Sequence, residues 1–135
     1  MAHVRLRKFN TSTVYEGGGI ANDMSMVVRA GNLIFLRGQT GFTLDNKFVG
    51  KGDAAAQADQ AMKNVKVLLE EAGAKLEHIC KITTYITHPA YRSEAAEARD
   101  EVFPAAPYPP STLVVVAALA EPQFLVEIEA VAVLD

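Results

Sequence analysis

Between Asp53 and Gly73 the chain carries its strongest constraint on folding. Ala58, Ala61, Met62, Val65, Leu68, Leu69 and Ala72 recur at i, i+3, i+4 and i+7 spacing, which gathers them into one apolar stripe on a helix, while Lys63, Asn64, Lys66 and Glu70 fall on other faces. Asp53 suits the N-cap because its carboxylate can accept from the unpaired N–H groups of the first turn, and Gly73 suits the C-terminal end. Such a stripe must be covered, and the flanking sequence supplies strands to cover it. The helix is therefore expected to lie on a sheet.

Residues 3–9 (HVRLRKF) alternate polar and apolar and read as a half-exposed strand, whereas VYEGGGIAND, at 14–23, reads as an irregular loop. Residues 26–37 (MVVRAGNLIFLR) are two β-rich runs about Ala30-Gly31-Asn32, a hairpin whose second strand ends on Arg37. After the helix, ICKITTYITH (79–88) reads as a strand ended by Pro89, and RSEAAEARDEVF (92–103) as a second helix capped by Ser93. Pro104, Pro107, Pro109 and Pro110 force an extended loop, followed by the strands STLVVVAAL (111–119) and FLVEIEAVAVL (124–134) around a turn at Glu121-Pro122. The order β-β-β-α-β-α-β-β predicts an α/β two-layer sandwich, a six-stranded sheet with two helices on one face, in a single domain spanning 1–135.

That architecture leaves one sheet face bare. Val114 and Val116 project to one side of their strand and Val115 to the other, so both faces carry apolar residues. Two helices cannot cover both, and subunits are expected to associate through the bare face as a closed cyclic oligomer.

At 135 residues, half of them hydrophobic and 21% charged, the chain can bury a core without disulfides or a structural metal. A net charge of −3 argues against strong attraction to nucleic acid. The lone cysteine, Cys80, excludes an internal disulfide and fits a reducing compartment. No run approaches the length of a membrane span, and the N-terminus lacks the apolar core of a signal peptide, so a cytoplasmic protein is expected.

Glu127 and Glu129 are two apart in the last strand and share a face with Val131 and Val133. A carboxylate near an apolar interface can have a raised pKa and act as a general acid or base, although spacing alone favours a solvated or salt-bridged carboxylate. Arg37 has two readings, a salt bridge or a clamp for a substrate carboxylate, whose plane the guanidinium matches with two hydrogen bonds. Gly38 beside it would let a ligand approach the backbone. Cys80, in a strand with no local partner, reads as a buried, inert thiol. His3, His78 and His88 lack metal-ligand spacing, and neither the glycines at 17–19 nor GKGD at 50–53 makes a nucleotide-binding loop.

With these elements assembled, AGNLIFLRGQTG, the long helix running into KITTYIT, and PPSTLVVVAALAEPQFLVEIEAVAV together resemble the Rid family, also called YjgF or reactive intermediate deaminases. The resemblance implies a chorismate-mutase-like fold and a homotrimer with ligand clefts between subunits. It also implies cofactor-independent hydrolysis of enamines and imines, such as 2-aminoacrylate and its imine tautomer, to a 2-oxo acid and ammonia, with no cofactor or metal. Members use an arginine before a Ser-Cys or Ser-Thr pair to bind the substrate carboxylate and a glutamate of the last strand to handle water. Here the glutamate matches Glu127 and the pair matches Ser111 and Thr112, but Pro110 takes the arginine's place and Met24 that of a tyrosine common in the early loop. Arg37 is then expected to supply the missing cation from another strand, with the backbone N–H of Thr112 holding the substrate anion beside it; the alternative for Arg37 is an ion pair with Glu127. The competing function is a non-catalytic trimeric binding protein for small carboxylates; ribonuclease activity is disfavoured by the acidic charge.

Overall fold

The computed structural model describes residues 3–13, 21–103 and 108–135. Its strands are β1 (Val4–Asn10), β2 (Asp23–Ala30), β3 (Leu33–Leu36), β4 (Ile79–Ile86), β5 (Ser111–Val115) and β6 (Val126–Val133), and its helices are α1 (Ala54–Glu71) and α2 (Arg92–Val102). The strands form one sheet in the order β1-β2-β3-β6-β4-β5, antiparallel throughout except for β4 and β5. The parallel pair needs a crossover, which α2 provides. α1 carries the chain from β3 to β4, leaving a gap that β6 fills last.

Both helices lie on one face, as expected for the two-layer α/β sandwich. Asp53 caps α1 by accepting from the Ala56 N–H at 3.1 Å, and Gly73 follows the helix with φ +84°. The apolar stripe is buried throughout, from Ala58 to Ala72, against Ile34 and Leu36 of β3, Ile82 and Ile86 of β4, and Val126, Ile128, Ala130 and Ala132 of β6. Cys80, expected to be buried, is exposed, and Asn64, expected on another face, is buried instead. Its side chain donates to the Phe42 carbonyl at 2.6 Å and accepts from Gln60, which makes burial affordable for an amide.

Several boundaries differ from the sequence reading. β3 ends at Leu36, although the Arg37 N–H still bonds to the Met26 carbonyl at 2.8 Å. β5 stops at Val115 because β4 ends at Ile86, whose carbonyl accepts the last bond, from the Val116 N–H. Ser93 is not the cap of α2. A single 3-10 turn at Pro89–Tyr91, started by the His88 imidazole accepting from the Ala90 N–H, runs straight into the helix at Arg92. Residues 14–20 of the glycine-containing loop, and Pro104 and Pro107, lie outside the described residues.

The face away from the helices carries Leu33 and Phe35 of β3, Glu127, Glu129, Val131 and Val133 of β6, Thr83 and Tyr85 of β4, and Thr112 and Val114 of β5, as strand alternation and register require. Phe35 is 45% exposed and Val114 37% exposed. Within the chain this face has no covering layer among the described residues.

Candidate functional site

The sheet's regularity breaks beside its centre. Phe35 pairs with Val131, but Gln39 bridges Ile128, so four steps along one strand meet three along the other. The extra residue is accommodated in the Leu36–Gly38 segment, a bulge that re-aims the side chains there. Gln39 closes it by exchanging both backbone bonds with Ile128, at 2.7 and 2.8 Å, while its side-chain amide donates to the Arg37 carbonyl at 2.9 Å.

Glu127 lies against this bulge. A methyl group built on Gly38 would stand 2.8 Å from both Cδ and Oε1 of Glu127, so the space opened by the missing side chain at 38 is filled by the carboxyl group. The expectation that Gly38 admits a ligand to the backbone thus meets a different occupant. Half-burial raises the Glu127 pKa above the ordinary carboxylate value; the Arg37 charge opposes this and the Glu129 charge adds to it. Arg37 is therefore close enough to act on Glu127 electrostatically. Its guanidinium carbon sits 4.8 Å from the centre of the Phe9 ring, and Phe9 stands directly opposite Met24 in the β1–β2 ladder.

Arg37, Gly38, Glu127 and, through Phe9, Met24 therefore form one neighbourhood. Ser111 and Thr112 do not join it. β5 is two strands from β6 and three from β3, which places Thr112 about 10 Å from the β6 axis and about 14 Å from that of β3 at the usual strand spacing. The pair also divides between faces. Thr112 lies in a row with Thr83 and Glu129 on the open face, whereas Ser111 pairs with Ile82 and lines a hollow under α2 with Thr84, Arg92 and Arg99. Arg99 is bound to Asp100 at 2.8 Å and lies over the Tyr108 ring.

Tyr85 was not anticipated as a site residue. It stands opposite Glu127 in the β4–β6 ladder, and its hydroxyl reaches diagonally to donate to Glu129 Oε1 at 3.1 Å. Period-two alternation places Tyr85 and Glu127 each on one face of a strand, but the register that puts them side by side is not written in either strand alone. Beyond them, Phe35, Lys81, Thr83, Glu129 and Val131 line an open hollow of about 340 Å³. No group of three or more metal-ligating side chains occurs among the described residues. No helix there is long and apolar enough to cross a membrane.

Comparison with known proteins agrees with this architecture. The family model described as Endoribonuclease L-PSP matches residues 19–134. A RutC family protein of Pyrococcus abyssi is 37% identical over 62 residues, 46% of this chain and 49% of the relative, so the chain spans about half the length of the first curated relatives it matches. A 2-iminobutanoate/2-iminopropanoate deaminase of Dermatophagoides farinae is 30% identical over 115 residues, 82% of this chain and 85% of that protein. A solved structure from Mycobacterium tuberculosis, a member of the YjgF/YER057c/UK114 family, superposes with a TM-score of 0.72 at 33% identity, covering 82% of this chain and 86% of that one.

Proposed function

We propose, from the premise that this chain belongs to the Endoribonuclease L-PSP family, which is the YjgF or Rid family, that it hydrolyses the C=N bond of small 2-imino acids and their enamine tautomers to a 2-oxo acid and ammonia. The observation that carries this reading is the half-buried Glu127 carboxyl, its pKa raised by burial, seated on Gly38 within the field of Arg37. The deaminase relative, similar over most of this chain, supports the same chemistry.

In this mechanism Arg37 holds the substrate carboxylate. Glu127 takes a proton from water as the oxygen adds to the imine carbon and passes it to the nitrogen, giving a carbinolamine. Glu127 then carries the hydroxyl proton to the nitrogen, and the C–N bond breaks as the C=O bond forms, releasing ammonia and leaving the 2-oxo acid. Imines hydrolyse readily, so positioning is sufficient and no covalent nucleophile is needed.

Thr112 enters through assembly. Standing three strands from β3, about 14 Å at the usual strand spacing, it would contact the same small substrate from a neighbouring subunit. The open sheet face, with Phe35, Val114 and Leu33 exposed on it, is the surface through which a homotrimer would close and complete intersubunit clefts. Pro110, which can bind no carboxylate, makes Arg37 the cation on which the reading depends.

The test is to generate imines of several sizes with an amino-acid oxidase and trap the survivors with semicarbazide. Faster imine loss with the wild type, and a loss of that acceleration of about 10²-fold or more in Arg37→Ala and Glu127→Ala, is expected. Equal rates for all three folded proteins would eliminate the hydrolase and leave the alternative, a binding protein for small carboxylates, to be measured by calorimetry with 2-oxo acids.

A further inference from the structure

The two carboxyl groups on the open face have unlike surroundings. Glu129 accepts the Tyr85 hydroxyl at 3.1 Å, faces Thr83 directly across the ladder, and shares the hollow with Lys81. Glu127 rests on the Gly38 backbone with Tyr85 opposite and Arg37 at the end of β3. Tyr85 stands directly opposite Glu127 in the ladder, yet its hydroxyl donates to Glu129.

We propose that Glu129 is a positioning residue: Tyr85 anchors it as the standing anion of the pair, leaving Glu127 as the carboxyl that exchanges a proton with the substrate. This rests on the hydrolase reading for its catalytic consequence, but the pairing itself is a property of the folded chain. A phenol donor stabilises the carboxylate that accepts from it, and the Tyr85 pKa is raised by the same bond, which keeps its proton in place. Glu129, held about 6.5–7 Å along the strand from Glu127, then disfavours a second negative charge there. Among the described residues the charged and titratable groups facing Glu127 are Glu129 on its own strand, Tyr85 on β4 and Arg37 beyond β3; burial and Glu129 favour its protonated form, and Arg37 opposes them. Two carboxyls set apart in this way divide into an electrostatic partner and an acid-base group.

The experiment is a carbon-13 NMR titration of labelled glutamate side chains in wild type, Glu129→Gln and Tyr85→Phe, with Glu127→Gln to assign the Glu127 resonance, alongside pH–rate profiles for imine loss. The Glu127 midpoint is expected to fall in Glu129→Gln and to change in Tyr85→Phe, which frees the Glu129 side chain from its anchor, and the acid limb of the rate profile to move with the Glu127 midpoint. Rescue of the wild-type midpoint by Glu129→Asp would support charge over shape. A Glu127 midpoint unchanged in folded Glu129→Gln overturns the proposal. If that midpoint falls while even the wild type fails to accelerate imine loss, the positioning pair stands and the hydrolase reading fails.

Discussion

Gly38 shows how one absent side chain shapes the site. Its φ is not in the left-handed region, so alanine fits the backbone, but the added methyl would meet Glu127 Cγ, Cδ and Oε1 at 2.8–2.9 Å. Since those atoms end a flexible side chain, the carboxyl should move aside. Gly38→Ala is expected to keep the melting temperature within a few degrees while removing most acceleration of imine loss, as measured by calorimetry and semicarbazide trapping. Glu127 makes a second prediction. A folded-state pKa above the unfolded value means the native state binds more protons, so stability falls as pH rises through that interval. Glu127→Gln should therefore be more stable than wild type at neutral pH, with the difference shrinking at acid pH in parallel urea titrations. The alternation of Glu127 with apolar residues left a raised pKa as one of two readings, and spacing favoured the other, a solvated or salt-bridged carboxylate; its seat on Gly38 was not legible at all, because residues 38 and 127 meet only after the bulge has shifted the register.

At the scale of elements, α1 does more than cover the sheet. Gln57, fully buried, donates to the Gly50 and Gln123 carbonyls, both at 2.9 Å, and accepts from the Leu125 N–H at 2.8 Å. It thereby ties the loop after the bulge to the entry of β6, the strand that bears Glu127. Gln57→Leu keeps the volume but strands three backbone groups, and should cost about 2–4 kcal/mol in chemical denaturation. The helix itself was legible from its stripe and caps. The buried amides Gln57 and Asn64 were not, because a polar residue inside a helix reads as solvent-facing until its tertiary partners are known. The start of α2 was misplaced for a related reason: Pro89 preorganises a turn that reaches helical geometry at Arg92, before Ser93 can cap it.

For the whole molecule, the open sheet face and the separation of Thr112 from Arg37 lead to one expectation. Phe35→Asp places a charge at the middle of that face and should break the proposed trimer into monomers in light scattering, with loss of imine acceleration although Arg37 and Glu127 remain. A wild-type protein monomeric at micromolar concentration would contradict the assembled cleft. The sequence by itself determined the alternation of strands and helices, the buried stripe of α1, and the two-faced apolar character of the sheet, since all of these follow from local periodicity. Only the tertiary structure decided that β6 enters between β3 and β4, that a one-residue bulge brings Gly38 under Glu127, and that Tyr85 binds Glu129. Those outcomes depend on pairing between segments far apart in the chain, where a one-residue change of register exchanges which side chains share a face.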